Sequence, residues 1–191
     1  MYVNYKRREL NLKIVYCGAA QSGKTTNLQY IHAHTKQALR SDLVTLKTQE
    51  DRTLFFDYMQ LELGEIRGLK PRFSLYTVPG QARYAATRKL LLQGVDGLVL
   101  VADSQQARLT DNVVALVELE KHVRSMGQRL ESLPLVVQCN KQDLPGALAP
   151  AVLTQYLGYT GVPCLSSAAV QGRGVSDTLK VIIHQVLQAI V

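Results

Sequence analysis

Short apolar runs alternate along the chain with stretches whose apolar residues recur about every 3.6 positions. The apolar runs predict β-strands at residues 10–17, 72–78, 97–103, 133–139 and 162–166. The periodic stretches predict helices at residues 25–36, 83–93, 112–126 and 175–191. Strands that alternate with helices form a largely parallel sheet with helices on both faces. The pattern therefore predicts a three-layer, doubly wound α/β fold that binds ligands at the carboxyl ends of its parallel strands.

A further strand, predicted at residues 54–63, is joined to the strand at 72–78 by only eight residues. This segment is too short for a helical crossover, so we expect these two strands to form an antiparallel hairpin. The predicted sheet is thus mixed, mostly parallel with one antiparallel edge strand. The length of 191 residues, without a repeat, a low-complexity tract or a linker, predicts a single domain over residues 1–191.

Composition indicates the cellular compartment of the protein and the kinds of partner that it can bind. The three cysteines are far apart in sequence and lie in apolar runs, which favours buried thiols over disulfides or zinc ligands. We find no export signal, membrane-spanning run or lipidation motif, so we expect a cytoplasmic monomer without a stable membrane anchor. The net charge of +7 permits contact with acidic surfaces. The basic residues are scattered along the sequence, however, which is typical of a solvated surface and not of a nucleic-acid binding site.

The segment at residues 18–25 lies between the first predicted strand and the first predicted helix. It matches the phosphate-binding pattern G-x-x-x-x-G-K-[ST] in the required setting. Backbone N–H groups of such a loop, with the positive end of the helix, cradle polyphosphate. We expect Lys24 to span the β- and γ-phosphates and Thr25 to offer its hydroxyl to Mg²⁺. The predicted nucleotide contacts of this segment are Gly18, Ala19, Ala20, Gln21, Ser22, Gly23, Lys24, Thr25 and Thr26.

A second motif, N-K-Q-D, follows the fourth predicted parallel strand and indicates which base is bound. The carboxylate of Asp143 can accept both the ring N–H and the exocyclic amine of guanine, whereas adenine offers no such pair of donors. Lys141 can lay its aliphatic stem along the base, and Asn140 can tie this loop to the phosphate loop. Beyond the next strand, Ser167 and Ala168 are small enough to bring a backbone N–H to the guanine oxygen, although neighbouring registers are also possible.

Two segments can supply the groups that hydrolyse GTP. Phosphoryl transfer needs charge stabilisation and an oriented water more than covalent chemistry. Gly80 can offer its N–H to the γ-phosphate, and Gln81 can hold the attacking water. Thr53 can complete the Mg²⁺ shell, and Arg52 beside it can reach the developing negative charge. An exposed loop arginine without a catalytic part is the alternative for Arg52.

Nearly the whole chain resembles Ras-like small GTPases and, among them, the bacterial MglA family that governs cell polarity and gliding motility. The segments that carry the resemblance are KIVYCG, GKTTNLQYI, DRTLFFD, GEIRG, LYTVPGQ, GVDGLVLVADSQ, NKQDLP and GVSDTLK. The resemblance implies a P-loop G domain that binds GTP or GDP with Mg²⁺, binds effector proteins and is recruited to the cell poles. It also implies that Arg52 is a built-in arginine finger and that Gln81 positions water. The implied partner is a homodimeric roadblock-type protein, MglB, which activates hydrolysis by reshaping the switches.

Two departures from the common Ras-like pattern leave alternatives open. Thr77 stands where most Ras-like proteins have Asp, so the usual carboxylate near Mg²⁺ is missing, and Asp51 or Asp57 is its candidate replacement. Ala20 stands where Gly is common, and its methyl group would crowd an arginine inserted by a partner, which favours an internal arginine. A nucleotide-bound scaffold with little hydrolysis therefore stands as the alternative to a GTPase switch. A small-molecule kinase is disfavoured because it gives no role to the N-K-Q-D motif.

Overall fold

The computed structural model of the chain describes residues 1–46, 56–81 and 84–190. Within these residues eight strands form one sheet. They are β1 (Tyr2–Asn4), β2 (Glu9–Cys17), β3 (Val44–Leu46), β4 (Phe56–Glu62), β5 (Lys70–Thr77), β6 (Gly97–Asp103), β7 (Leu135–Asn140) and β8 (Cys164–Ser166). The strand order is β3-β4-β5-β2-β6-β7-β8, with β1 paired to the start of β2.

Helices cover both faces of this sheet. In the described part of the chain the α-helices are α1 (Lys24–His34), α2 (Ala85–Leu92), α3 (Leu109–Ser125), α4 (Pro150–Leu157) and α5 (Val175–Gln188). The side chains of α1 and α5 pack into one hydrophobic core, and those of α2, α3 and α4 into another. Residues of β2 alternate between the two cores, as the side chains of a strand buried on both faces must. The predicted three-layer fold is therefore confirmed.

The pairing of the strands agrees with most of the sequence pattern. Strand β2 runs parallel to β5 and β6, and β6 runs parallel to β7. The predicted antiparallel hairpin is confirmed as the pairing of β4 with β5, from Tyr58 opposite Tyr76 to Glu62 opposite Arg72. The sheet continues one strand beyond this hairpin, because β3 pairs antiparallel with β4 and takes the edge position. Strands β1 and β3, with three residues each, were not predicted from the sequence.

The helix α4 was not predicted from the sequence. It has eight residues and begins with Pro150, which is well suited to the first turn of a helix but also reads as a sign of a loop. None of the described helices is long and apolar enough to cross a membrane.

The three cysteines are free thiols. Cys139 and Cys164 are far apart in sequence, yet the neighbouring strands β7 and β8 bring their sulfur atoms to 2.9 Å from each other. Cys17 is buried on β2. The fold therefore uses these residues as small core side chains.

Candidate functional site

The parallel strands β2, β5, β6 and β7 end at one edge of the sheet, and the predicted motifs meet there. The loop that leaves β2 turns sharply at Gly18 and Gly23, whose φ angles are 136° and 104°. A Cβ atom on Gly18 would lie 2.2 Å from the carbonyl oxygen of Val101, and one on Gly23 would lie 2.2 Å from the side-chain nitrogen of Asn140. Both conformation and close packing therefore require glycine at these two positions.

Lys24 begins α1 and folds back over the loop. Its Nζ donates hydrogen bonds to the carbonyl oxygens of Gly18 at 3.0 Å and Ala19 at 2.6 Å. Only 7% of the residue is exposed, and this burial lowers the pKa of Lys24 to about 8. The ammonium group is thus held by neutral carbonyl groups, which it can exchange for phosphate oxygens.

A cavity of about 450 Å³ opens between the phosphate loop and the segment after β5. Its lining residues are Ala20, Gln21, Lys24, Thr25, Thr77, Val78, Pro79, Gly80, Gln81 and Tyr84. Gly80 packs directly on the loop, since a Cβ atom there would meet the backbone nitrogen of Ala20 at 2.3 Å. Gln81 is exposed beside it. A larger cavity of about 770 Å³ lies elsewhere, near the carboxyl ends of α3, α4 and α5, and contains none of the predicted site residues.

Asp57 supplies a buried carboxylate at the edge of this cavity. Its Oδ2 accepts hydrogen bonds from the hydroxyls of Thr25 at 2.6 Å and Thr77 at 2.9 Å. Its Oδ1 accepts one from Thr45 at 2.9 Å, and its backbone N–H donates to Thr77 at 2.9 Å. A carboxylate from β4 therefore stands beside Thr25, held by the threonine that replaces the usual Asp. Asp51, the other candidate, lies outside the described residues, as do Arg52 and Thr53.

Asn140, at the end of β7, joins three loops of the site. Its side-chain amide donates to the carbonyl oxygen of Ser22 in the phosphate loop at 2.8 Å. Its side-chain oxygen accepts hydrogen bonds from the backbone N–H of Ala169 at 2.9 Å and from the hydroxyl of Ser167 at 3.3 Å. Because Asn140 and Ser167 are both buried, these bonds fix the loop after β8 against the phosphate loop.

The remaining residues of the N-K-Q-D motif differ in how they are held. Lys141 has a φ angle of 67°, and its Nζ lies 2.6 Å from the fully buried carboxylate of Asp103 at the end of β6. Gln142 donates to the hydroxyl of Ser104 at 2.7 Å. Asp143 is half-buried, and no residue in the described part of the chain donates a hydrogen bond to its carboxylate. That carboxylate is therefore available to a ligand.

The backbone N–H groups predicted to reach the guanine oxygen have partners within the protein. The N–H of Ser167 donates to the carbonyl oxygen of Cys139 at 2.9 Å, and that of Ala168 donates to Arg173 at 2.9 Å. A contact between either group and a base would require an exchange of partners. The role of these two residues stays a prediction.

Behind the phosphate loop lies a buried polar network that sequence reasoning missed. The side chains of Asn27 and Gln138 exchange two hydrogen bonds of 2.8 and 2.9 Å. Gln138 also donates to the hydroxyl of Thr178 at 3.0 Å, and Asn27 donates to the carbonyl oxygen of Gly23 at 2.9 Å. The network thereby connects α1, β7 and α5. The signal for it was a glutamine inside an otherwise apolar strand.

Two arginines that were not predicted as site residues hold the cavity walls. Arg88 on α2 is 7% exposed, donates to the backbone oxygen of Gln81 at 2.6 Å and pairs with Glu118 of α3 at 2.7 Å. Arg108, just before α3, donates to the backbone oxygen of Ala20 at 2.8 Å. These bonds fasten the segment after β5 and the phosphate loop to α3.

Comparisons with known proteins agree with this architecture. The model of the ADP-ribosylation factor family matches residues 1–186. The mutual gliding-motility protein MglA of Myxococcus xanthus (strain DK1622) is 48% identical over 186 residues, which cover 97% of this chain and 95% of that protein. ADP-ribosylation factor-like protein 4D of Homo sapiens is 27% identical over 168 residues, 88% of this chain and 76% of that protein. ADP-ribosylation factor-like protein 3 of Chlamydomonas reinhardtii is 25% identical over 193 residues, 95% of this chain and 94% of that protein.

These matches confirm the predicted family, and with it the prediction that the chain binds guanine nucleotides and hydrolyses GTP. The chain belongs to the ADP-ribosylation factor family of Ras-like small GTPases, and within it to the MglA family.

Proposed function

We propose that the protein is a molecular switch that binds GTP, hydrolyses it slowly on its own and binds effector proteins in the GTP state. One observation carries the proposal: the phosphate loop and the N-K-Q-D loop lie at the same edge of the sheet and are joined by the bond between Asn140 and Ser22. A guanine nucleotide has its base at one end and its phosphates at the other. The two loops offer matching groups for those ends.

The residues divide between the two ends of the nucleotide. Lys24 and the inward N–H groups of the phosphate loop would bind the phosphates. The unpartnered carboxylate of Asp143 would accept both donors of guanine, which gives specificity over adenine. Lys141 would lay its stem along the base, in an orientation fixed by its ion pair with Asp103.

The oxygen atoms beside Lys24 fit a magnesium ion. Mg²⁺ prefers hard oxygen ligands and a few protein groups in addition to phosphate and water. The hydroxyl hydrogen of Thr25 points to Asp57, which leaves the lone pairs of the hydroxyl oxygen for a cation. Thr53 is the second proposed ligand. Bound Mg²⁺ would neutralise charge on the phosphates.

Hydrolysis requires an oriented water and a positive charge near the γ-phosphate. Gln81 would orient the water, with its backbone held by Arg88. We assign the positive charge to Arg52 as an internal arginine finger. A partner's arginine would have to enter beside Ala20 in the phosphate loop. The methyl group of Ala20 takes up space there, and its carbonyl oxygen already accepts a hydrogen bond from the guanidinium of Arg108. Both features support an arginine of this chain as the source of the positive charge.

Partner proteins are proposed to meet the switch at the exposed side of β4 and β5. Phe56, Tyr58 and Tyr76 form a half-buried aromatic cluster there, with ring centroids 5.9 and 4.8 Å from that of Tyr76. The proposed activator is a homodimeric roadblock-type protein. The similarity to a gliding-motility protein supports a role in motility or polarity, with the cytoplasmic protein recruited to the cell poles.

The test is GTP turnover by the purified chain, measured alone and with a roadblock-type protein from the same genome. We expect slow turnover alone and a large stimulation by the partner. Turnover that stays at zero in both cases would favour the nucleotide-bound scaffold.

The internal arginine is tested with Arg52→Ala, which should keep GTP binding but lose roughly 10³-fold of the stimulated rate. Arg129→Ala, in which an exposed arginine far from the site is removed, is the matched control and should keep the full rate. Substitution of the partner's arginines should leave the stimulation intact. Stimulation at the parent rate in Arg52→Ala would contradict the internal arginine finger.

A further inference from the structure

More than half of the net charge is concentrated at the end of the sheet opposite the nucleotide site. Residues 5–8 form the turn between β1 and β2, and residues 64–70 include the loop between β4 and β5. Together these two segments contain five cations, Lys6, Arg7, Arg8, Arg67 and Lys70, against one carboxylate, Glu65. Their net charge of +4 compares with +7 for the whole chain. Basic residues that are far apart in the sequence therefore meet at one end of the sheet.

The two segments form one continuous surface, which we call the basic tip. The backbone N–H of Lys70 donates to the carbonyl oxygen of Arg8 at 2.7 Å, and Lys70 is the register partner of Glu9. The tip lies at the amino ends of β2 and β5, whereas the nucleotide loops leave the carboxyl ends of the same strands. With nine residues in β2, the two ends lie about 30 Å apart.

The charges of the basic tip are not neutralised within the protein. All five cationic residues are exposed, and none of them belongs to an ion pair in the described part of the chain. The neighbouring Arg72 differs, because it pairs with Glu9 at 3.3 Å and with Glu62 at 2.5 Å. Arg72 and its two carboxylates carry a net charge of −1, so the tip together with them keeps a net charge of +3 and presents a positive field to an external partner.

Backbone conformation adds a second observation. In the described residues only four positions other than glycine have a positive φ angle. Gln21 and Lys141 lie in the nucleotide site, and the other two are Arg8 at 54° and Arg67 at 51°, one in each segment of the basic tip. Arginine is an unfavourable choice for this left-handed conformation, and such strain concentrates at functional sites. The tip thus keeps arginine where glycine or asparagine would be more stable.

The surroundings of these charges indicate the kind of partner. Tyr5 lies in the turn and is 82% exposed, and Tyr2 on the adjoining strand is 66% exposed. Amphipathic aromatic rings beside lysine and arginine are typical of contacts with a membrane surface. None of the cavities given above is lined by residues of the tip, whereas single-stranded nucleic acid is bound along a groove. An exposed cationic end is complementary to a broad negative surface.

We propose that the basic tip binds the headgroup surface of an anionic lipid bilayer. The binding is electrostatic and reversible, and it leaves the nucleotide site at the other end of the sheet accessible to partner proteins. Each lysine or arginine near such a surface strengthens partition by roughly fivefold at physiological salt. The loss of three cations should therefore weaken binding by roughly 100-fold.

The experiment is co-sedimentation of the full chain with vesicles of phosphatidylcholine, alone or with added phosphatidylglycerol. We expect binding only to the anionic vesicles, with an affinity that falls as salt is added. The triple variant Lys6→Ala/Arg7→Ala/Arg8→Ala should bind roughly 100-fold more weakly. The matched control, Lys121→Ala/Arg124→Ala/Arg129→Ala, removes the same charge from exposed positions in the last turns of α3 and in the loop that follows, and should bind like the parent. Nucleotide affinity, measured in parallel, should be unchanged in both variants.

The variants Arg8→Gly and Arg67→Gly distinguish a loss of binding caused by lost charge from one caused by lost stability. Each removes one cation but also relieves an unfavourable φ angle. Both should be at least as stable as the parent in urea yet bind the anionic vesicles roughly fivefold more weakly. Equal losses in the two triple variants would overturn the proposal, as would equal binding to neutral vesicles. Tip-dependent binding to double-stranded DNA or polyglutamate that exceeds binding to the vesicles would assign the surface to another class of partner and would also overturn it.

Discussion

The two halves of the nucleotide site hold their polar groups in different ways. In the half that would meet the base, Asn140 bonds to protein groups that no nucleotide has to displace, and the carboxylate of Asp143 has no partner among the described residues. In the half that would meet the phosphates, Lys24 is bonded to loop carbonyls and Thr25 to Asp57. Asn140 and Asp143 are therefore preformed for the base, whereas Lys24 must exchange its bonds when a nucleotide binds. A switch needs this difference, because one end keeps the ligand while the other changes with it.

Among the substitutions considered, removal of the Lys24 ammonium from the phosphate half should cause the largest loss of GTP affinity. Lys24→Ala loses charge-assisted hydrogen bonds to two phosphates, so GTP affinity should fall by about 1000-fold. Calorimetry on the purified variant measures this, with Lys13→Ala as a control that removes a partly buried lysine of β2 outside the cavity. Nanomolar GTP binding by a folded Lys24→Ala variant would contradict the assignment.

A substitution in the base half should change specificity. In Asp143→Asn the new amide cannot accept both guanine donors, so GTP affinity should fall by about 100-fold, whereas xanthine nucleotides should bind better than they do to the parent. Competition between the two nucleotides measures the reversal. Asp177→Asn, which neutralises an exposed acid on α5, should leave both affinities unchanged. An unchanged preference for GTP in Asp143→Asn would show that the base is read elsewhere.

The low pKa of Lys24 predicts that GTP binding by the phosphate half depends on pH. Burial lowers this pKa to about 8, so above that pH the amine of the nucleotide-free protein is neutral. Phosphate binding favours the charged amine, and the affinity for GTP should therefore fall by up to about tenfold per pH unit above 8, with protons taken up on binding. Calorimetry in buffers of different ionisation enthalpy measures that uptake. Binding without proton uptake at alkaline pH would contradict the prediction.

The network of Asn27 and Gln138 behind the phosphate loop should contribute mainly to stability. Asn27→Ala leaves the buried amide of Gln138 without its main partner, which should lower the free energy of unfolding by about 2 kcal/mol. Urea denaturation measures the loss. Gln29→Ala on the exposed side of the same helix is the control and should change stability little. Equal stability of the two variants would mean that the network is not needed to hold α1 to β7.

The parts of the site that are made of contiguous residues could be predicted from the sequence. The phosphate loop and the N-K-Q-D motif each follow a strand that is buried on both faces, and β6 was predicted with the bounds that it has in the structure. The contacts of Asp57 could not be predicted, because they depend on the register of β4 against β3 and β5. The anchoring bonds of Arg88 and Arg108 join elements that are distant in the chain. The basic tip is likewise formed by strand pairing, which brings residues 6–8 next to residues 67–70.

The most direct test of the central claim is single-turnover hydrolysis, with GTP affinity measured on the same samples, for Gln81→Leu and Asp143→Asn. The claim is that the phosphate half binds GTP and performs the chemistry, whereas the base half contributes to binding alone. Gln81→Leu should bind GTP like the parent but hydrolyse it about 100-fold or more slowly, because oriented water stabilises only the transition state. Asp143→Asn should bind GTP weakly, yet at saturating GTP it should hydrolyse at close to the parent rate. Parent-like hydrolysis by Gln81→Leu, or a parallel loss of rate and affinity in both variants, would contradict the account.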